Sequence, residues 1–326
     1  MGNDANPSAV LRHVGRHGVL VALVLLILFG WLRYENFLGA YNVLSLLRYN
    51  AMFALVALGM CYVIMTGGID LSVGSTAALG SVVAALLSPY GLLPGLFGGM
   101  AAGLAVGVVN GLVVTRLGIL PFVATLATML AASGMALLLS GQQSVSVSYE
   151  TAFIELGQGD LLGFPVPAWI AGLAYLIGSL VLNFTAFGRH VLAVGGGEDA
   201  SRLMGLPVER TKFLVYAASG TLAGLAGVIL AAQFGAGQPI EGVGWELFAI
   251  ASVVVGGTLL TGGVGSVGAT LAGVLLLGLI FNILNFENGM GWISLSAYWQ
   301  SVIRGGFLLL VVILQAKLVA RQEATA

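Results

Sequence analysis

The residues best equipped for chemistry stand in one stretch, Gly67-Gly68-Ile69-Asp70-Leu71-Ser72-Val73-Gly74-Ser75, between two long apolar runs. A carboxylate and two hydroxyls there could bind a substrate hydroxyl or carry a proton. The structural alternative is that Asp70 caps a helix starting at Leu71, accepting bonds from the amides near Ser72 and Val73 as aspartate does at an N-cap. The two roles are compatible. An unpaired backbone group in hydrocarbon costs several kcal/mol, so irregular backbone at membrane depth survives only against protein or a watery cavity. Gly-interrupted helices carrying an ionisable residue are how transporters build such sites.

A second Gly-rich break runs from Gly256-Gly257-Thr258 through Gly262-Gly263-Val264-Gly265-Ser266-Val267-Gly268, again between apolar helices. Its last six residues match the dinucleotide fingerprint GxGxxG, and Glu287 falls about 20 residues further on. That motif requires a soluble βαβ unit, whereas glycine is common in membrane helices, so the match carries no nucleotide site. The lysines, Lys212 after Thr211 and Lys317 after Ala316, exclude a P-loop, and His13, His17 and His190 form no paired metal motif. No catalytic or metal site is expected, and the chain reads as a non-enzyme. Cys61, alone of its kind, lies in an apolar run and reads as a packing residue. Asn110, Asn282 and Asn285 are amides at helix depth, either gluing helices or facing a polar cavity. Arg304 in the last apolar run is expected to pair or snorkel, with Trp292, Tyr298 and Trp299 as interfacial anchors.

The elements that must hold these residues are membrane helices. Of 326 residues, 59% are hydrophobic and 8% charged, with mean hydropathy +1.03. A soluble domain carries about 25% charged residues. The net charge of -1 argues against a nucleic-acid partner. At about 20 residues per crossing, the sequence predicts spans at 17–33, 44–66, 71–88, 93–115, 119–140, 166–187, 212–233, 246–262, 267–286 and 299–317. The apolar run to Trp31 lacks a cleavage site and is kept as a helix.

Lys and Arg collect on the cytoplasmic side. A cytoplasmic N-terminus puts Arg12, Arg16, Arg116, Arg189, Arg202, Arg210, Lys212, Lys317 and Arg321 there, and leaves out Arg33, Arg48 and Arg304. Both termini are therefore expected in the cytoplasm: a tail at 1–16, one transmembrane domain at 17–317, and a tail at 318–326. Residues 141–163, with Glu150, Glu155 and Asp160 but no Lys or Arg, suit an outer loop. Residues 188–211 suit the cytoplasm, and Glu198 to Met204 reads as a short helix with acidic residues in its first turn, stopped at Gly205. That helix either docks a soluble partner or is a solvated loop. Ala102-Gly103 with Gly107 and Asn110 weakly resembles Ala272-Gly273 with Gly278 and Asn282. The expected fold is an all-α polytopic membrane protein of about ten helices, a five-plus-five inverted repeat with corresponding broken helices. Gly and Ala clusters at 95–111 and 220–227 predict close helix approach.

The Gly67 to Ser75 stretch, Pro121-Phe122-Val123-Ala124-Thr125-Leu126, Gly188-Arg189 followed by Gly195-Gly196 and Glu198-Asp199-Ala200, and Ala249 to Thr258 together resemble the permease subunits of ribose-type ABC sugar importers. The resemblance runs from about residue 45 to the C-terminus. It implies a multi-pass chain of the bacterial inner membrane, embedded in lipid, that hydrolyses no ATP itself. Two permeases would form the path, two ATP-binding cassette subunits would bind ATP and Mg and drive it, and a periplasmic sugar-binding protein would deliver a monosaccharide. The second half, from Gly242 to Glu287, looks closest to a galactofuranose-type permease, a kind that uses two different permease chains, so the resemblance implies either a homodimer or a heterodimer. Residues 188–205 would be the coupling segment, through Gly188, Arg189, Glu198, Asp199, Ala200, Arg202, Leu203 and Gly205. Gly197 stands where the usual segment has Asn, so no role passes to that side chain. The expected path and break residues are Gly67, Gly68, Asp70, Ser72, Ser75, Asn110, Phe122, Thr125, Gly256, Gly257 and Thr258. The alternative is an ion-coupled secondary transporter with Asp70 as its proton site, which leaves the 188–205 helix idle.

Overall fold

The computed structural model describes residues 7–289 and single helical positions at 299, 302, 303, 305, 306 and 309. The helices are α1 (Pro7–Arg33), α2 (Ala40–Met65), α3 (Val73–Leu87), α4 (Leu92–Arg116), α5 (Pro121–Ser140), α6 (Glu155–Gln158), α7 (Val166–Phe184), α8 (Ala186–Gly196), α9 (Glu198–Leu203), α10 (Val208–Phe234), α11 (Trp245–Val255) and α12 (Val267–Gly289). Two short antiparallel ribbons join them. Strand β1 (Val145–Ser146) pairs with β4 (Ala236–Gly237), and β2 (Asp160–Leu161) with β3 (Phe164–Pro165).

Seven helices among the described residues are long and apolar enough to cross a bilayer: α2, α3 with its following turn, α4, α5, α7, α10 and α12. The expected span at 299–317 lies outside the described residues apart from single positions, as do Trp292, Tyr298 and Arg304. The span expected at 246–262 is redrawn. Here α11 holds 11 residues and ends at Val255, because Gly257 takes φ 85° and turns the chain.

Helix α10 runs through the middle and packs on α2, α3 and α4. Along α4 a buried glycine recurs every fourth residue from Gly95 to Gly111, and the middle of this stripe, Gly99, Gly103 and Gly107, lies on Gly220 and Gly224 of α10. A Cβ on Gly103 would overlap the Gly220 carbonyl oxygen. Such seams of small residues bring membrane helices into backbone contact, where van der Waals packing substitutes for the absent hydrophobic drive. On the other side α2 packs on α11 and α12, and the two groups meet where Gly59 of α2 lies against Ser219 of α10.

The 141–163 segment and the 188–211 segment lie at opposite ends of α10. Residues Gly157 and Gln158 pack on Gln233 at one end, and Glu198 bonds Lys212 at the other. Two arginines that stand apart from the basic face are paired: Arg48 with Asp160 at 2.7 Å and Arg33 with Glu287 at 3.7 Å.

Candidate functional site: helix breaks and a charged face segment

The chain between α2 and α3 opens at Gly67, whose φ of 77° suits glycine. Asp70 follows and is 1% exposed. Its Oδ1 accepts the Ser72 amide at 3.0 Å and the Ser72 hydroxyl at 2.6 Å, while Oδ2 accepts the Ser219 hydroxyl of α10 at 3.0 Å. Ser72 Oγ in turn accepts Asn110 Nδ2 of α4 at 2.9 Å, and Asn110 Oδ1 accepts the Thr128 hydroxyl of α5 at 2.6 Å. One buried chain of polar groups thus ties the break to three helices. Thr125 adds a second tie, its Oγ1 accepting the Leu71 amide at 3.1 Å. A buried polar network of this kind is stable only when its members are satisfied. Helix α3 begins at Val73, two residues later than expected, and of the two amides expected on Asp70 only that of Ser72 is bonded. Asn110 therefore works as glue. Tyr216 Oη, which packs against Gly68, is buried without a hydrogen-bond partner among the described residues.

The second break, 256–266, folds back beneath α2. Thr258 is fully buried beside Cys61, whose sulfur also receives the Thr270 hydroxyl of α12 at 3.1 Å. Gly256 lies buried against Ala269 at the start of α12. The Gly263 amide bonds the Met65 carbonyl at 3.0 Å, joining the end of α2 to this break.

Helix α8 reaches the same point. Thr185 caps it by accepting the Gly188 amide at 3.2 Å, and its far end lays Gly195 directly on the Met65 carbonyl and the Gly263 amide. The two breaks and the face segment are therefore one backbone knot. The span expected at 166–187 ends at Phe184, and residues 186–196, the start of the connection that follows it, form this helix. The following helix α9 stops at Leu203, with Met204 closing it and Gly205 at φ 76°. Lys212 Nζ lies 2.6 Å from Glu198 Oε2, and Arg202 lies 3.2 Å from Oε1 and also pairs with Glu209. The Lys212 ammonium, first among these partners, holds the Glu198 carboxyl below its ordinary range. Leu203 is 90% and Met204 68% exposed, beside exposed Arg189, Asp199 and Ala200.

Of the expected residues, Phe122 stands apart, 55% exposed at the start of α5, and Ser75 is half-buried on α3 without a place in the network. The sequence reading paired the break at 67–75 with that at 256–268. In a five-plus-five order the counterpart of the first break is 235–244, between α10 and α11. There Gly242 and Gly74 are in reciprocal contact, since a Cβ on either would overlap the other's carbonyl oxygen. Gly235, Gly237, Gly242 and Gly244 within that segment were the available signal.

Discontinuous helices meeting inside a polytopic helical bundle define the class of membrane solute permeases. The chain belongs to the family described as the branched-chain amino acid transport system / permease component, whose model matches residues 42–312. It is similar to the ribose import permease protein of Bacillus subtilis, 41% identical over 92% of each chain. It is also similar to the L-arabinose transport system permease protein of Escherichia coli, 39% identical over 91% of this chain and 89% of that one. A third relative, the ribose import permease protein of Escherichia coli, is 38% identical over 91% of this chain and 92% of that one. No solved structure matches it. The ribose-type resemblance read from the motifs stands on these relatives, and the chain is a permease component and no enzyme.

Proposed function

We propose that the chain is the membrane permease subunit of an ATP-driven, binding-protein-dependent importer of a monosaccharide, working by alternating access. The observation that carries the reading is the contact of Gly195 with Met65 and Gly263. A push on the α8–α9 segment has one packed route into both breaks, because close-packed backbone shifts as a unit. The exposed Leu203 and Met204 offer two ATP-binding cassette subunits an apolar foothold. Those subunits bind ATP and Mg in the cytoplasm, where both termini lie, and the membrane is the bacterial inner membrane. A second permease completes the path, and a periplasmic sugar-binding protein docks on the 141–163 face. The packing of α10 on α3 and α4, matched by α2 on α11 and α12, supports an inverted repeat.

Ribose and arabinose in the relatives' names favour a pentose over galactofuranose. Asp70 is held by Ser72 and Ser219 and buried, so it serves this reading as a joint between helices in place of a proton carrier. The test is uptake of D-ribose and L-arabinose into proteoliposomes holding the complete complex. Uptake is expected to need ATP and to stop when 198–204 is scrambled. Uptake without ATP, or with the scrambled segment, overturns the proposal, and uptake driven by a pH gradient alone brings forward the proton-coupled reading.

A further inference from the structure

We infer that a cavity between α2, α11 and α12, separate from the Asp70 network, is the transit site for the neutral sugar; this rests on the importer reading above. The cavity holds about 420 Å³, within the roughly 300–1,000 Å³ of small-molecule sites. It opens in the parts of α2 and α12 nearest the 141–163 face, where Arg48 pairs with Asp160.

Its lining divides into two kinds of group. Phe53, Phe248 and Phe281 form an aromatic wall, with Phe53 and Phe248 centroids 4.5 Å apart and Phe248 and Phe281 6.0 Å apart. Asn50, Asn282 and Asn285 supply amides. A sugar ring presents an apolar C–H face and a rim of hydroxyls that both give and take hydrogen bonds. Flat aromatic surface suits the first, and an amide, with one acceptor and two donors, suits the second. Asn50 Nδ2 donates to the Leu46 carbonyl at 2.8 Å, which among the described residues leaves its second N–H for a ligand. Asn282 is set by a reciprocal pair with Asn42, at 2.8 and 3.1 Å, which among the described residues leaves its second N–H. Gly278 makes room for Asn50, whose Oδ1 would collide with a Cβ there.

Charge decides the ligand class. Among the described residues that line the cavity none is Asp, Glu, Lys, Arg or His. An amino acid would bring an ammonium and a carboxylate with no counter-charge, at a large desolvation cost. A neutral polyhydroxylated solute brings none. The cavity thus separates sugars from the branched-chain amino acids in the family's description.

The test uses the complete complex in proteoliposomes with labelled D-ribose, L-arabinose and L-leucine. Asn50→Leu and Phe281→Ala are each expected to cut sugar uptake by roughly tenfold, the loss of one or two ligand contacts, while ATP hydrolysis stimulated by the binding protein persists. Ser45→Cys places a thiol on the cavity wall, and excess D-ribose, but not L-leucine, is expected to slow its alkylation from outside. The parent, with Cys61 fully buried, gives the blank. Parental uptake in both variants, or alkylation indifferent to D-ribose, overturns the inference. A parent complex that imports no sugar on ATP overturns the importer reading instead, and the thiol protection still decides the cavity.

Discussion

Gly195 of α8 and Met65 of α2 touch through backbone alone: a methyl group on Gly195 would overlap the Met65 carbonyl oxygen, which also accepts the Gly263 amide at 3.0 Å. The face segment is thereby fixed to the end of one broken helix and the loop of another, with no side chain to act as a flexible link. A rigid contact transmits displacement because packed interiors are scarcely compressible.

The first prediction follows from Gly195 and its neighbour. Gly195→Ala must push α8 away from both breaks, at about 1–3 kcal/mol, whereas a Cβ on Gly196 meets nothing within 4 Å. The first variant is expected to lose ATP-driven uptake and some thermal stability, and Gly196→Ala to keep both. Equal uptake by the two, measured side by side in proteoliposomes, would remove the knot from the mechanism.

Much of this was legible in the sequence, for identifiable reasons. Apolar runs must become helices in lipid, so the spans from α2 to α5 followed from length alone. The stop at Gly205 and the acidic first turn marked α9. What the sequence withheld were contacts made by backbone. Gly195 was legible only as part of the connection between two spans, yet its missing side chain is what lets α8 reach Met65. Likewise 235–244 was passed over, although Gly242 meets Gly74 there. Asn50 stood unnoticed in an apolar run, since a single amide has no periodicity to reveal it.

Asp70 tests the difference between a joint and a ligand. Asp70→Leu leaves the Ser72 amide, the Ser72 hydroxyl and the Ser219 hydroxyl facing an apolar group, at about 1–3 kcal/mol for each buried group left unpaired. Asp70→Asn keeps an oxygen for Ser72, and Ser219 can rotate to accept from the new amide. The leucine variant is expected to assemble poorly, and the asparagine variant to assemble with a slower rate and an unchanged ratio of D-ribose to L-arabinose uptake. A changed ratio in Asp70→Asn would make the carboxylate a ligand.

The tie between Glu198 and Lys212 carries a pH signature. Because the partners lower the Glu198 carboxyl, its contribution is fully present above the ordinary carboxylate range, near 4.3, and is lost as pH falls through the depressed folded value. Amide protection in 198–205 is expected to hold from pH 8 to about 5 and to fall in stronger acid. With 42% of the Glu198 side chain exposed, the effect is small, since exposed pairs contribute about 0–1 kcal/mol. Glu198→Gln should abolish the acid step in hydrogen exchange, and a step that persists in the variant would assign it to another group.

The α4–α10 seam sets the stability of the whole bundle. At Gly103 the Gly220 carbonyl and the Gly224 backbone leave no room for a side chain, and in lipid no hydrophobic gain offsets the separation of two helices. Gly103→Ala is therefore expected to cost about 1–3 kcal/mol, and Gly103→Leu to prevent recovery of folded protein. Gly134 on α5 meets nothing within 4 Å, so Gly134→Ala should be neutral or slightly stabilising through helix propensity, by up to about 1 kcal/mol. Thermal unfolding in one detergent compares the two alanine variants with the parent, and the yield of monodisperse protein reads Gly103→Leu. If Gly103→Ala melts with Gly134→Ala, the two helices tolerate separation, and the glycine stripe reflects composition alone in place of contact.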